Sequence, residues 1–423
     1  MSAGAQRGLY RSLITLATPL ALWLGRKQDP ARWRERLGHY STPLPATPIW
    51  LHAASLGEAK AAILLIDTLR AQGYQGPFVV TTTTATGAAT IRPALGEADR
   101  HLYAPYDSPG AVRRALDAIR PRLLLVMEVE IWPQLWSQAQ ARGVPIVLAN
   151  GRLSESSLNR YQRQLPALWR ETLQRAQLIL AQSPAIAERY QRLGVSPSRL
   201  RVSGNVKYTL TLDANTRDQG EALRRHLGTD RPVWLAASTH DGEEQIALEC
   251  QRRILGHHDQ ALLVIVPRHP QRFAAVAELC ERSGFAWQQR SRDDTPVAEK
   301  TQVYLADTLG ELLAFYTAAD LAWVAGSFST VGGHNILEPA ACDCPMVVGP
   351  DMRNFDDILQ RFLEAEALQQ VDTPEALQQS LDALLADAGA RQHMARQARQ
   401  CQEQLQGAAA DQAALILGQL PQP

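Results

Sequence analysis

At 423 residues the chain is too long for one compact core of ordinary size, so two domains of roughly 200 residues each are expected. Hydrophobic residues make up 45% and charged residues 20%, which excludes a long disordered chain, and 43 basic against 43 acidic side chains leave no global field to hold nucleic acid. Any anion must be bound locally.

Residues 1–40 differ from the rest. The stretch 12–25 (SLITLATPLALWLG) carries no charge, while Arg7 and Arg11 precede it and Arg26, Lys27, Arg32, Arg34 and Arg36 follow. Its fourteen residues would rise only about 21 Å as a helix, short of a bilayer core of roughly 30 Å. Arg26 and Lys27 stand where a signal cleavage site would need small residues. The segment is therefore expected to associate with anionic lipid, peripherally or as a single anchor, with burial on the protein itself as the alternative.

From Ile49 onward short apolar runs alternate with helix-length amphipathic segments. Strands are predicted at 49–54, 78–83, 123–129, 145–150 and 178–183, and again at 233–239, 262–268, 303–307, 321–327 and 345–350. Buried runs alternating with helices imply parallel sheets covered on both faces. The fold expected is α/β, with two doubly wound Rossmann-like domains, 41–205 and 206–423, facing a central cleft. Residues 372–418, rich in Ala, Gln and Leu, read as terminal helices of the second domain. The five cysteines, Cys250, Cys280, Cys342, Cys344 and Cys401, include no CxxC pair and read as buried thiols in a reducing compartment.

In such sheets ligand groups sit on loops after the strands. Ser55-Leu56-Gly57-Glu58 closes one predicted strand and opens a helix. Its plain reading is a capping box; its functional reading is a general base, with the helix start expected to favour the ionised carboxylate. Glu128 and Glu130 close the run LLLVMEVEIWP, and their i, i+2 spacing predicts a shared face. Lys207, in SGNVK, is a candidate partner for them. In the second half, Gly332 and Gly333 before His334 are expected to leave backbone amides open to a phosphate at a helix start. Glu338 can accept from ribose hydroxyls, and Arg268 and His269 can add charge. Each also has a structural reading, as a turn, a first-turn carboxylate or a salt-bridged strand end. No G-x-G-x-x-G, Walker loop or D-x-D pair occurs, so neither a dinucleotide nor a divalent metal is expected.

Taken in order, HAASLGE, TTTTATG, YAPYD, EVEIWP, NGRLS, GNVK, STHDGEE, VPRHP, GEL, GGHNILEP and GPDMRNF resemble the 3-deoxy-D-manno-octulosonic acid (Kdo) transferases of Gram-negative bacteria, from RWRERLG (32–38) to GPDMRNFDDI (349–358). The resemblance implies a metal-independent glycosyltransferase of GT-B type at the cytoplasmic side of the inner membrane. It would move Kdo from CMP-Kdo to the lipid A precursor, lipid IVA, in making the lipopolysaccharide core, with no cofactor. By residue, it implies Glu58 as general base, Glu128 and Lys207 as transition-state supports, and Arg268, His269, Leu309, Gly310, Glu311, Asn335, Ile336, Leu337 and Glu338 as the CMP site. Three places depart from the family pattern: the Tyr208-Thr209 pair after GNVK, Ala325 in AGS, and Val129 in EVE. A nucleotide-sugar hydrolase or epimerase and a catalytically silent membrane scaffold are the competing readings.

Overall fold

The computed structural model describes residues 2–29, 32–210, 212–293 and 295–421, so Asp294, half of one adjacent acidic pair, lies outside the described residues. Two compact units emerge: residues up to Thr209 together with those from Gln406 on, and Leu210–Leu405.

The first unit holds seven parallel strands: β1 Ile49–His52, β2 Phe78–Thr82, β3 Arg100–Tyr103, β4 Leu123–Met127, β5 Ile146–Gly151, β6 Leu178–Ala181 and β7 Leu200–Val202. Their order is β3-β2-β1-β4-β5-β6-β7, so the winding reverses between β1 and β4. Alternating side chains feed two cores, one containing Trp50, Val79, Leu124 and Leu148, the other Leu51, Val80, Leu125 and Val147. The second unit repeats the plan with β8 Val233–Thr239, β9 Leu262–Pro267, β10 Trp287–Gln289, β11 Val303–Leu305, β12 Leu321–Val324, β13 Met346–Val348 and β14 Gln369–Gln370. Here the order is β10-β11-β9-β8-β12-β13-β14, and the reversal falls between β8 and β12. Crevices at the carboxyl ends of the strands flanking such a reversal are where doubly wound sheets place ligands.

The expected boundary at 205/206 with all terminal helices in the second domain differs from this structure. The helix Ala408–Leu417 belongs to the first unit, where Ala409, Ala413 and Ile416 pack into the core beside Leu51. Its buried Gln412 accepts from the Asn150 amide (2.9 Å) and donates to the Gly204 carbonyl (3.0 Å). A polar clamp of this kind leaves no periodic trace in sequence. All five cysteines are free and buried.

The N-terminal helix runs Ala3–Gln28 with Pro19 inside it. One face docks on the first unit. Gln6 accepts from the Leu168 amide (3.1 Å), Tyr10 donates to Asp107 (2.8 Å), and the Ala21 carbonyl accepts from Tyr106 (2.7 Å). Leu9, Leu13, Leu16, Leu20 and Trp23, spaced by four and three residues, form an exposed apolar stripe, with Leu16 78% accessible. Among the described residues no helix is long and apolar enough to cross a membrane. The side chains of residues 24–28, including Arg26 and Lys27, lie outside those described.

Candidate active site

In the first unit the chain leaves β1 and enters the helix Leu56–Ala71. Ser55 Oγ accepts from the Glu58 amide (3.4 Å), and Glu58 Oε2 accepts from the amides of Ala54 (2.5 Å) and Ser55 (3.4 Å), so the capping box is present. The expected preference for the ionised form is reversed. Burial, then the charges of Glu130 and Glu128, push the Glu58 carboxyl up to about 7, against the Ala54 hydrogen bond and His52. One helix start does not outweigh desolvation and two like charges. A carboxylate titrating near neutrality is matched to proton abstraction.

Across the reversal, β4 ends at Met127 and Glu128 takes a left-handed φ of 52°, which breaks the strand alternation. The two glutamates therefore do not share a strand face as their spacing predicts. Glu128 Oε1 lies 2.5 Å from Lys207 Nζ. Glu130 accepts from Trp132 Nε1 (2.7 Å) and stands 3.6 Å from His52 Nε2. Burial disfavours its charge, yet the facing His52 and the Trp132 indole hold its carboxyl below the usual range. Lys207 Nζ comes within 3.5 Å of where a Cβ would stand on Gly57, next to Glu58. The sequence thus brings Glu58, Glu128 and Lys207 into one group.

Several supports of that group carry little local signal. Asn150, at φ 52°, donates to Glu128 Oε1 (3.4 Å) and accepts from the Val206 amide (3.1 Å), fixing the segment that carries Lys207. His52 Nδ1 lies 2.9 Å from Thr81 Oγ1, which also accepts from Trp50 Nε1 (2.9 Å). The Glu130 carboxylate facing Nε2 favours the tautomer with the proton on Nε2, which leaves Nδ1 to accept from the Thr81 hydroxyl. Asn150 sits within the NGRLS cluster, and His52 within HAASLGE; Gln412 had no motif to mark it.

In the second unit the buried Glu243 ties the two strands that flank the reversal. Its carboxylate accepts from the amides of His240 (2.9 Å), Gly326 (2.8 Å) and Phe328 (3.0 Å). His240 Nε2 lies 2.8 Å from His334 Nε2, and the rings stack with centroids 5.0 Å apart. Burial, then the neighbouring His240 and Arg268, bring His334 down to about 4, and burial with His269 lowers His240. The pair is therefore neutral near pH 7, one ring donating and the other accepting. Gly326, at φ 72°, is required here, since a Cβ on it would stand 2.7 Å from His334 Cδ2.

Arg268 follows β9, is exposed, and has no ion pair recorded among the described residues, while His269 packs edge-on to His240 at 5.3 Å. Burial raises Glu338, opposed by the Asn335 amide group (3.2 Å) and by Arg268. Arg268, His269, Asn335 and Glu338 thus lie around the stacked histidines. Ile336 and Leu337 are buried in the fold, so only their backbone is available to a ligand. Two of the amides expected to be open at this helix start are engaged within the fold. The helix Leu337–Ala341 has five residues, the Gly333 amide donates to the Gly326 carbonyl (2.8 Å), and the Leu337 amide donates to Asn335 Oδ1 (3.1 Å). Gly332 is needed for packing, because a Cβ there would come 2.7 Å from Arg353 Cγ. Leu309, Gly310 and Glu311 follow β11 and line a cavity of about 560 Å³. Among the described residues no cluster of His, Cys, Asp or Glu is arranged to hold a metal ion.

Two seven-stranded parallel sheets with loops of this kind define the GT-B class of glycosyltransferase fold. Solved structures agree on the fold: a glycosyltransferase from Rickettsia africae aligns with TM-score 0.58 at 12% identity over 89% of this chain and 99% of its own. Anabaena HepE in complex with UDP aligns with TM-score 0.55 at 14% identity over 88% and 100%. Residues 31–210 match the family model described as 3-deoxy-D-manno-octulosonic-acid transferase (kdotransferase). The 3-deoxy-D-manno-octulosonic acid transferase of Haemophilus influenzae is 36% identical over 92% of both chains, and that of Bordetella pertussis is 36% identical over 93% of this chain and 94% of its own. The chain belongs to the Kdo transferase family, and its activity is Kdo transfer in the making of the lipopolysaccharide core.

Proposed function

We propose that the protein moves Kdo from CMP-Kdo to a hydroxyl of the lipid A precursor, lipid IVA, with inversion and without a divalent ion. The observation that carries this is the Glu58 carboxyl, buried and pushed up to about 7 beside the Glu128–Lys207 pair. Glu58 takes the acceptor proton as the hydroxyl oxygen bonds to the anomeric carbon. The bond from that carbon to the phosphate oxygen breaks through an oxocarbenium-like state, and CMP departs with the electron pair. Lys207, oriented by Glu128, offsets charge on the sugar; Arg268 offsets charge on the phosphate, and Glu338 accepts from the ribose.

The acceptor bears acyl chains and stays in a bilayer. The stripe Leu9, Leu13, Leu16, Leu20 and Trp23 supplies an apolar face for the acyl boundary of the inner membrane on its cytoplasmic side, while Arg7 pairs with Glu171 (3.4 Å) on the docked side. A helix docked along its other face suits peripheral binding.

One assay tests the chemistry: CMP-Kdo and the lipid precursor in EDTA, read by product mass, for wild type and Glu58→Gln. Wild type should add Kdo, and the variant should turn over roughly 100-fold more slowly. Near-wild-type turnover by the folded variant sinks the base assignment, and strict dependence on added magnesium sinks the metal-free one.

A further inference from the structure

The cavity of about 560 Å³ in the second unit is lined by Gln219, His226, Arg290, Leu309, Gly310 and Glu311, among others, and lies in the size range of small-molecule sites. Its polar wall is an ion pair. Arg290 Nη2 lies 3.1 Å from Glu311 Oε1 and Arg290 Nε 3.4 Å from Oε2, and the Thr308 hydroxyl also donates to Oε2. The backbone beneath is held from several sides. The Arg290 amide donates to the Leu305 carbonyl (2.9 Å), and the Asp307 carboxylate accepts from the Ser291 amide (2.9 Å), the Ser291 hydroxyl (2.5 Å) and the Gln289 amide group (2.6 Å). These bonds stitch the loop after β10 to the loop after β11. A donor and an acceptor are thereby fixed side by side on the cavity wall. Tyr304 is a further hydrogen-bond partner of the guanidinium, whose five N–H groups exceed what Glu311 and Tyr304 together use, and Glu311 Oε1 retains a second lone pair.

That donor–acceptor order matches one pyrimidine and mismatches the other. Cytosine offers an N4 amino group, which donates to a carboxylate, beside N3 and O2, which accept from a guanidinium. Uracil would turn its O4 carbonyl toward the carboxylate and its N3–H toward the cation. We propose that Arg290 and Glu311 act together as the element that selects cytosine over uracil in the donor nucleotide. The exposed Leu309 supplies an apolar flank for the ring face. The inference rests on the reading of the donor as a CMP-activated sugar, and it assigns to Arg290 a role in choosing that donor.

Calorimetry on the full chain with CMP and with UMP tests it, for wild type, Glu311→Gln and Arg290→Lys, each checked by thermal melting. Wild type should bind CMP roughly ten- to a hundredfold more tightly than UMP. Glu311→Gln presents a carboxamide that can donate to O4, so it should bring the two affinities together. Arg290→Lys keeps the charge but loses the planar fork, and should also lower the ratio. The ratio stays readable even where a variant is partly unfolded, because the folded fraction scales both titrations alike. If both variants keep the wild-type ratio, the selection role is overturned while the donor reading stands. The same holds if both affinities fall together, as loss of a purely structural ion pair would produce. Equal affinity for CMP and UMP in wild type overturns the donor reading and the selection with it.

Discussion

Glu58 performs two tasks with one carboxylate, and they pull in opposite directions. As a capping group it accepts from backbone amides at 2.5 and 3.4 Å; as a buried charge it is raised to about 7. A carboxyl whose folded value lies above its unfolded value adds stability below the ordinary carboxylate range, and that stability is lost as pH rises through about 7. Glu58→Gln keeps the acceptor oxygen and removes the charge. Its melting temperature should therefore exceed that of wild type at pH 8, with the gap closing toward pH 4, while turnover is lost. A variant that melts lower at pH 8 would show that the charge is stabilised rather than tolerated. Wild-type turnover should climb with pH through about 7, where the base ionises. Glu130→Gln removes the second-ranked cause of the rise after burial, so the midpoint of that climb should move to lower pH; an unmoved midpoint would show that Glu130 has no hold on the base.

At the scale of elements, central strands were legible and edge strands were not. β1, β4, β8 and β12 are buried on both faces and read as largely apolar runs, with polar residues only at the ends of β1 and β8. The strands left unpredicted, β3, β7, β10 and β14, lie at sheet edges; LRV, WQQ and QQ are polar because an edge is not covered twice, whereas RHLY is mostly buried but carries Arg100 and His101, which break the apolar run. The loops after the central strands were legible too, since polar clusters following apolar runs are conspicuous. The turn at Glu128 was not, because a left-handed residue that breaks strand alternation is set by tertiary bonds from Asn150 and Lys207. Gly326 supplies an element-scale test. Gly326→Ala would force a strained φ and push against His334, so a loss on the order of 1–3 kcal/mol is expected in denaturant melts, together with weaker CMP binding. The N-terminal helix divides in the same way by face. Replacing Leu13 and Leu16 by serine should release the protein from anionic vesicles without lowering its melting temperature, whereas Tyr10→Phe should cost about 1 kcal/mol by removing the bond to Asp107. Unchanged vesicle binding after the serine substitutions would leave the stripe without that role.

For the whole molecule, the chain path matters more than the count of residues in each half. Sequence rhythm divides the protein into a first and a second domain in series, because alternating strands and helices mark where a sheet begins but not where a final helix returns. The helix Ala408–Leu417 returns to the first unit and closes its core through Ile416 and Gln412. Gln412→Ala should therefore loosen the first unit, unpairing the Asn150 amide and the Gly204 carbonyl at a cost of about 1–3 kcal/mol. Hydrogen exchange should place the loss there and leave β8–β14 protected as in wild type.

The return has a further consequence. Thr209 donates its hydroxyl to the Gln406 carbonyl at 3.2 Å, and the Gln402 side chain donates to the Leu210 carbonyl at 2.8 Å. Leu210–Leu405 is thus an insertion in a continuous host fold, entering and leaving at neighbouring points. Joining Thr209 to Gln406 through a spacer of roughly two to four residues would span that gap at about 3.8 Å per residue and add little closure entropy. The host made this way should melt cooperatively and retain the Asn150–Gln412 clamp, and the excised insert should bind CMP without it. An engineer could then exchange inserts, and with them the activated sugar, while the Glu58 group and the apolar stripe stay on the host.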